Sequence, residues 1–370
     1  MMEIKVIDNL NKGVKDKLKD FGEETELDKL NPYGLEKNDT YPNLDKIIEK
    51  FLKYYQGDGE GVFSWVEELN TLKDLKGENI SYNGDSANQH YGLPTHINGD
   101  YKNGLIYHCL FNAGTNGVED SIKTNASKDD ADSKTYTLEE YYKIPEKEPK
   151  KGPEDINDII SESEEGEIVE NLRYNIIGPD SLLTKELKKE RKSDKRGYYC
   201  KTYYKEILEK NKDFYFDPDV TDEKISEMTN NMVNIELYPL RSKNKDGAEY
   251  KINKFSLFGA YIILYRIGKY LNDVEKNRNK NRNIKKPIFI FRSFSDWKDC
   301  IIAAIKNQFN FDKDTANELF EYLYDNFFLE FSSPNAGSVS SVNVMKKVRI
   351  GNERFDEMTA CISKPKNSAK

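Results

Sequence analysis

Asn112 is the residue in this chain best placed to do chemistry. It stands where a short apolar run, Leu105 to Phe111, stops at Asn112-Ala113-Gly114. An apolar run of that length, entered through the turn Asn98-Gly99-Asp100, predicts a buried strand. Folds that alternate strands and helices put their chemistry at the carboxyl ends of strands. The only three histidines, His90, His96 and His108, fall in or beside the same segment. Their spacings of six and twelve residues match no standard metal-ligand pattern. Within a strand, Cys109 would also point to the opposite face from His108. No metal ion and no cofactor is expected.

Several elements must position Asn112. Residues 1–80 read as an amino-terminal helical extension, in which Ile47, Ile48, Phe51 and Leu52 form one apolar face. Residues 81–364 read as the main domain, and 365–370 as a disordered tail. A polar insertion spans about 115–170, rich in Pro, Gly and carboxylates, with helix starts near Thr137 and Asp155. Further strands are predicted at Met232–Leu240, Pro287–Arg292 and Phe327–Phe331. Helices are predicted between them at Tyr198–Leu208, Lys254–Leu271, Trp297–Phe309 and Asp314–Tyr324. Strands alternating with helices predict an α/β fold, a three-layer α/β/α arrangement around a mainly parallel four-stranded sheet. The strand ends then place Asn112, Arg241/Ser242, Arg292 and Ser332/Ser333 along one edge.

The bulk properties narrow the class. The chain has 370 residues, a net charge of −8 and 12% aromatic residues, which together describe a globular protein with polar loops. The net charge argues against binding nucleic acid through a global positive field. Two local basic clusters, Lys185–Lys201 and Lys276–Lys286, leave room for a local one. The four cysteines are far apart and form no C-x-x-C pair, so a zinc ribbon is not expected. The first residues show no signal-peptide core, and the longest apolar segment, Phe255–Leu271, carries Arg266 and Lys269. A cytoplasmic protein with no membrane partner is the expectation. Phosphate loops, dinucleotide fingerprints, H-E-x-x-H and G-x-S-x-G motifs are all missing.

One set of motifs carries a resemblance. Leu93-Pro-Thr-His96-Ile-Asn-Gly-Asp, then a strand, then Asn112-Ala-Gly114, resembles the opening of the uracil-DNA glycosylase superfamily, most closely its divergent bacterial members. Asn171-Leu-Arg-Tyr-Asn, Glu236-Leu-Tyr-Pro-Leu-Arg-Ser242, Ile288-Phe-Ile-Phe-Arg-Ser-Phe-Ser-Asp-Trp297 and Phe331-Ser-Ser-Pro-Asn-Ala-Gly-Ser-Val-Ser340 follow in the family's order. The resemblance spans roughly Gly92 to Val344. It implies DNA as partner and a target nucleotide flipped out of the stack into a pocket. Asn112 would then hold the attacking water. The pocket and phosphate contacts would fall to His96, Gly114, Tyr238, Arg241, Ser242, Arg292, Ser333 and Asn335. Val339 is the one apolar wedge candidate in the last loop, and Trp297 suits the core better than a base-stacking role. Ala113 stands where the family has Pro, and the last loop carries no His. Two other functions fit the same residues: a non-catalytic DNA-binding protein of this fold, and an α/β enzyme acting on a small nucleotide or nucleoside.

Overall fold

The computed structural model describes residues 10–34, 41–61, 63–68, 92–112, 138, 159–160, 163–164, 166–191, 197–240, 252–278, 284–333, 336–346 and 348–363. Most of the expected polar insertion and the tail lie outside these residues. The first helices are α1 (Lys12–Phe21), α2 (Glu24–Lys29), α3 (Pro42–Tyr55) and α4 (Trp65–Glu68). Strands β1 (Ile97–Asn98) and β2 (Ile106–Leu110) follow, then α5 (Ile168–Ile176) and β3 (Ile177–Gly178). The next helices are α6 (Leu182–Glu190), α7 (Tyr198–Thr202), α8 (Lys205–Lys210), α9 (Lys212–Tyr215) and α10 (Asp222–Thr229). The remainder runs β4 (Met232–Glu236), α11 (Lys254–Lys276), β5 (Ile288–Phe291), α12 (Phe294–Phe309), α13 (Lys313–Phe327) and β6 (Phe328–Phe331). It closes with β7 (Val344–Lys346), β8 (Val348–Arg349) and α14 (Gly351–Thr359).

All these strands belong to one mixed sheet, ordered β3-β1-β4-β2-β5-β6-β7-β8. Its centre is the parallel set β4-β2-β5-β6, the four strands predicted from the sequence. The sheet is not limited to those four. On one side β1 pairs antiparallel with β4 and parallel with β3; on the other, β7 and β8 continue antiparallel from β6. These added strands are two or three residues long, too short for a period-two pattern to announce them.

Alternation along the strands builds two hydrophobic layers. Tyr107, Cys109, Val233, Ile235, Phe289, Phe291 and Phe328 share one cluster with residues of α1, α3, α11, α12 and α13. Ile106, Leu110, Met232, Ile290 and Leu329 face the other way, toward residues of α6–α10 and α14. Helices therefore cover both faces, and the amino-terminal helices belong to the first layer rather than standing apart from it.

Helix α11 is the main member of that first layer. A reciprocal cap starts it: the Asn253 side chain accepts from the Phe255 and Ser256 N–H groups, and Ser256 Oγ accepts from the Asn253 N–H. Its run from Phe255 to Ile267 is buried throughout, each large apolar side chain contributing roughly 1.5–3 kcal/mol by leaving water. Arg266 is buried in the same helix, and its Nε donates to Gly104 O at 2.9 Å. No helix among the described residues is long and apolar enough to cross a membrane. Helix α1 lies against α11 at a glycine contact, where a Cβ on Gly268 would meet Leu18 O at 2.1 Å.

Candidate functional site

In chain order the four parallel strands are arranged 2-1-3-4, so the connections leave β2 in opposite directions and the order switches between β2 and β5. Such a switch point opens a crevice outside the carboxyl ends of the two strands. Arg292 follows β5 directly, and its N–H donates to Cys109 O at 2.8 Å, which holds it level with the end of β2. Asn112 lies two residues beyond β2 and is half-buried. The β2–β4 ladder continues past β4 through Leu237 N–H to Leu110 O (3.1 Å) and Tyr238 N–H to Phe111 O (3.0 Å). That extension brings Leu240 beside Asn112, whose Nδ2 approaches Leu240 O at 3.5 Å.

The turn after Arg292 is unusual. Ser293 has φ 55° and ψ 54°, a left-handed conformation that costs a non-glycine residue about 1–2 kcal/mol. It turns the chain sharply from β5 into α12 and leaves Arg292 at the sheet end.

A buried polar layer lies on the α6 side of these strand ends. His108 on β2 is paired in register with Asn234 on β4, and Leu110 with Glu236. Glu236 is thus the diagonal neighbour of His108 on the same face. Tyr204, just before α8, bridges the first pair: Asn234 Nδ2 donates to its hydroxyl, and the hydroxyl is 3.0 Å from His108 Nδ1. Asn234 Oδ1 accepts the Leu182 N–H at 3.1 Å. The Tyr204 oxygen accepts from Asn234, and its own proton can go to His108 Nδ1; in that arrangement the ring proton is on Nε2. Among the described residues neither His108 Nε2 nor Glu236 Oε2 has a hydrogen-bond partner, and both are buried.

Burial sets the charge state of this layer. It pulls His108 down to about 3, helped by the positive charge of Arg292. It pushes the Glu236 carboxyl up to about 8, partly opposed by Arg292. At neutral pH the layer therefore holds a neutral imidazole and a protonated carboxyl beneath a guanidinium.

Tyr203 ties the layer to the loop after β6. Its hydroxyl accepts from Arg292 Nη1 at 3.2 Å, its ring edge meets His108 at 5.3 Å between centroids, and its carbonyl accepts the Val339 N–H at 2.7 Å. A Cβ on Gly337 would strike the Tyr203 ring at 2.4 Å, so the loop lies on that ring only because residue 337 has no side chain. Glu206 holds the loop from the other side by accepting the Ser341 N–H at 3.0 Å.

Of the residues singled out from the sequence, Asn112, Tyr238, Arg292 and Ser333 come to the same end of the sheet. Ser333 is exposed, whereas Tyr238 is buried with its ring against Phe111. His96 is elsewhere. It is wholly buried on the α11 side, with Nδ1 2.8 Å from the Tyr33 hydroxyl and its ring against Phe255 and Phe258. Burial pulls it down to about 3 as well, so it is a neutral core residue with no surface to offer DNA. Val339 is also fully buried and offers no wedge. Trp297 is a core residue whose Nε1 donates to Leu110 O at 2.9 Å. Gly114, Arg241, Ser242 and Asn335 lie outside the described residues.

Among the described residues, one group has the composition of a metal site: Glu186, Glu190 and Cys200, all buried. These groups already have work. Glu186 accepts the Tyr199 and Cys200 N–H groups at 2.9 and 2.7 Å, and Glu190 accepts the Gly197 N–H. Both carboxylates thereby serve the unpaired N–H groups at the start of α7. Burial also pushes the Cys200 thiol far up, so it keeps its proton and is a poor ligand.

Comparison of the chain with family models, with curated proteins and with solved structures gave no match. The site is therefore characterised by its own geometry. Sequence reasoning missed His108, Asn234, Glu236, Tyr203, Tyr204 and Ser293 as members of it. A signal did exist: Asn234 and Glu236 interrupt the apolar run Met232–Leu240 at alternate positions, as residues sharing one strand face do. His108 interrupts Leu105–Phe111 in the same way.

Proposed function

We propose that this chain is a DNA glycosylase-like protein that flips an aberrant or modified base out of DNA and cleaves its N-glycosidic bond at the carboxyl end of the parallel sheet. One observation carries the reading. The strand order brings Asn112 and Arg292 to the two sides of the switch point, above a buried layer in which His108 Nε2 and a Glu236 oxygen have no partner among the described residues. Breaking an N-glycosidic bond puts negative charge on the departing base, and fixed donors in a dry site stabilise such charge strongly. Arg292, the His108 N–H and the protonated Glu236 carboxyl are donors of that kind. Asn112 would hold the attacking water by its amide, a positioning role, because an amide is no base at neutral pH.

The test is incubation of the purified protein with duplexes containing uracil, mismatched or modified bases, followed by alkaline cleavage at abasic sites. The expected result is cleavage of at least one duplex, reduced by about 100-fold or more in Asn112→Ala. Salt-sensitive DNA binding without product on any substrate would instead identify a non-catalytic DNA-binding protein. Absence of both product and binding would refute the DNA reading. One observation bears on the alternative of a small nucleotide or nucleoside substrate: Val339, the wedge candidate read from the sequence, is buried and cannot enter a duplex, although Val342 in the same loop is exposed. Hydrolysis of free nucleosides with no DNA binding would decide for that alternative.

A further inference from the structure

At the opposite end of the sheet, where β5 and β6 begin, the fold forms a partly open cavity of about 160 Å³. Its apolar wall includes Phe327 and Met358, both buried. Three cations, Lys286, Lys346 and Arg354, line it together. Lys346 is held in place by donating to the Tyr324 and Phe328 carbonyls. Lys286 makes no hydrogen bond or ion pair among the described residues, and its ammonium lies 4.9 Å over the Phe327 ring. Asp325 and Glu357 also line the cavity; like Arg354 they are exposed, where water screens them. The half-buried lysines keep more of their field.

We propose that this cavity binds a small phosphate monoester with a flat, apolar organic part. Converging ammonium and guanidinium groups match a phosphate dianion, with Arg354 able to supply a two-pronged contact. The Phe327 and Met358 wall matches an apolar body, which a nucleic-acid backbone would not use. The site is separate from the one at the carboxyl end, and the proposal does not depend on the reaction there. The state of Lys286 fits it: burial, and then the charges of Lys346 and Arg354, hold its ammonium down to about 8. A bound dianion would relieve that pressure and draw a proton onto the lysine.

Calorimetric titration of the full chain at pH 8 with phenyl phosphate tests this. Phenyl phosphate is expected to bind at least about tenfold more tightly than inorganic phosphate or benzoate. The binding heat should vary with the buffer's ionisation heat in the sense of proton uptake. Lys286→Met and Arg354→Met should each weaken binding by about tenfold or more, the latter without lowering the melting temperature. Arg354 is exposed on α14, so its variant reports on binding even where Lys286→Met perturbs the fold. Absence of binding, equal binding of benzoate, or equal binding by both variants would overturn the proposal.

Discussion

Glu236→Gln is the sharpest probe of the buried polar layer. The Glu236 carboxyl has an ordinary value near 4.5 and is raised to about 8 in the fold. A group raised in this way favours the folded state most fully below its unfolded value. That stability is lost as pH rises through the folded value, because the folded protein then has to give up a proton it holds more tightly. The window is therefore pH 4.5 to 8. Each pH unit within it costs about 1.4 kcal/mol, so the whole window is worth on the order of 4–5 kcal/mol. Glutamine has the shape of the protonated acid and does not titrate. Other buried groups move in the same range: His96 and His108 oppose acid, and Lys185, held down to about 7 by burial, titrates nearby. They are common to both proteins, so the difference between variant and wild type isolates Glu236.

Between pH 5.5 and 8 that difference should shift in favour of Glu236→Gln by about 3 kcal/mol. Thermal melts followed by fluorescence at half-unit steps of pH are sufficient. At on the order of 2 °C per kcal/mol, the gap in melting temperature should widen by about 6 °C toward the variant as pH rises. A gap that stays flat over this range would refute the assignment of Glu236 as a protonated buried acid. A gap that widens toward the wild type would mean that the carboxylate is the form the fold stabilises.

Two further predictions concern the frame around the site. Gly268→Ala should destabilise the protein by about 1–3 kcal/mol, seen as a lower melting temperature, because its Cβ would sit 2.1 Å from Leu18 O and force α1 off α11. Ser293→Val should cost about 2 kcal/mol and Ser293→Gly should cost nothing or stabilise, since the left-handed backbone suits only the latter; equal melting temperatures for the two variants would contradict the conformation described.

The four parallel strands were legible because each is an apolar run between turn residues, and the helices between them forced parallel pairing. Arg292 and Asn112 were legible as strand ends for the same reason. What stayed hidden depends on partners distant in the chain. His96 sits in a sequence motif that points to DNA, but Tyr33, 63 residues away, meets its Nδ1, and the rings of Phe255 and Phe258 close around it. The role of Tyr204 rests on His108, 96 residues distant. Glu236 is a charged residue in an apolar strand, and nothing local says whether it is solvated or buried with a proton. That is decided by burial against Tyr199 and Tyr203, which the connection from β3 to β4 carries, and by Arg292 at the end of β5.

The way the sheet stops has a consequence for a crowded solution. A long, flat, unpaired strand at a sheet margin is a template onto which another chain can add, and such addition leads to aggregates. Here the outermost strands, β3 and β8, are two residues each. Gly178 on β3 lies so close to the end of α5 that a Cβ there would meet Tyr174 O at 2.3 Å, and β8 carries Arg349 next to an exposed Val348. Among the described residues neither margin offers a run of free backbone long enough to hold a foreign strand in register. The apolar central strands, which would be hazardous at an edge, are kept two places or more inside.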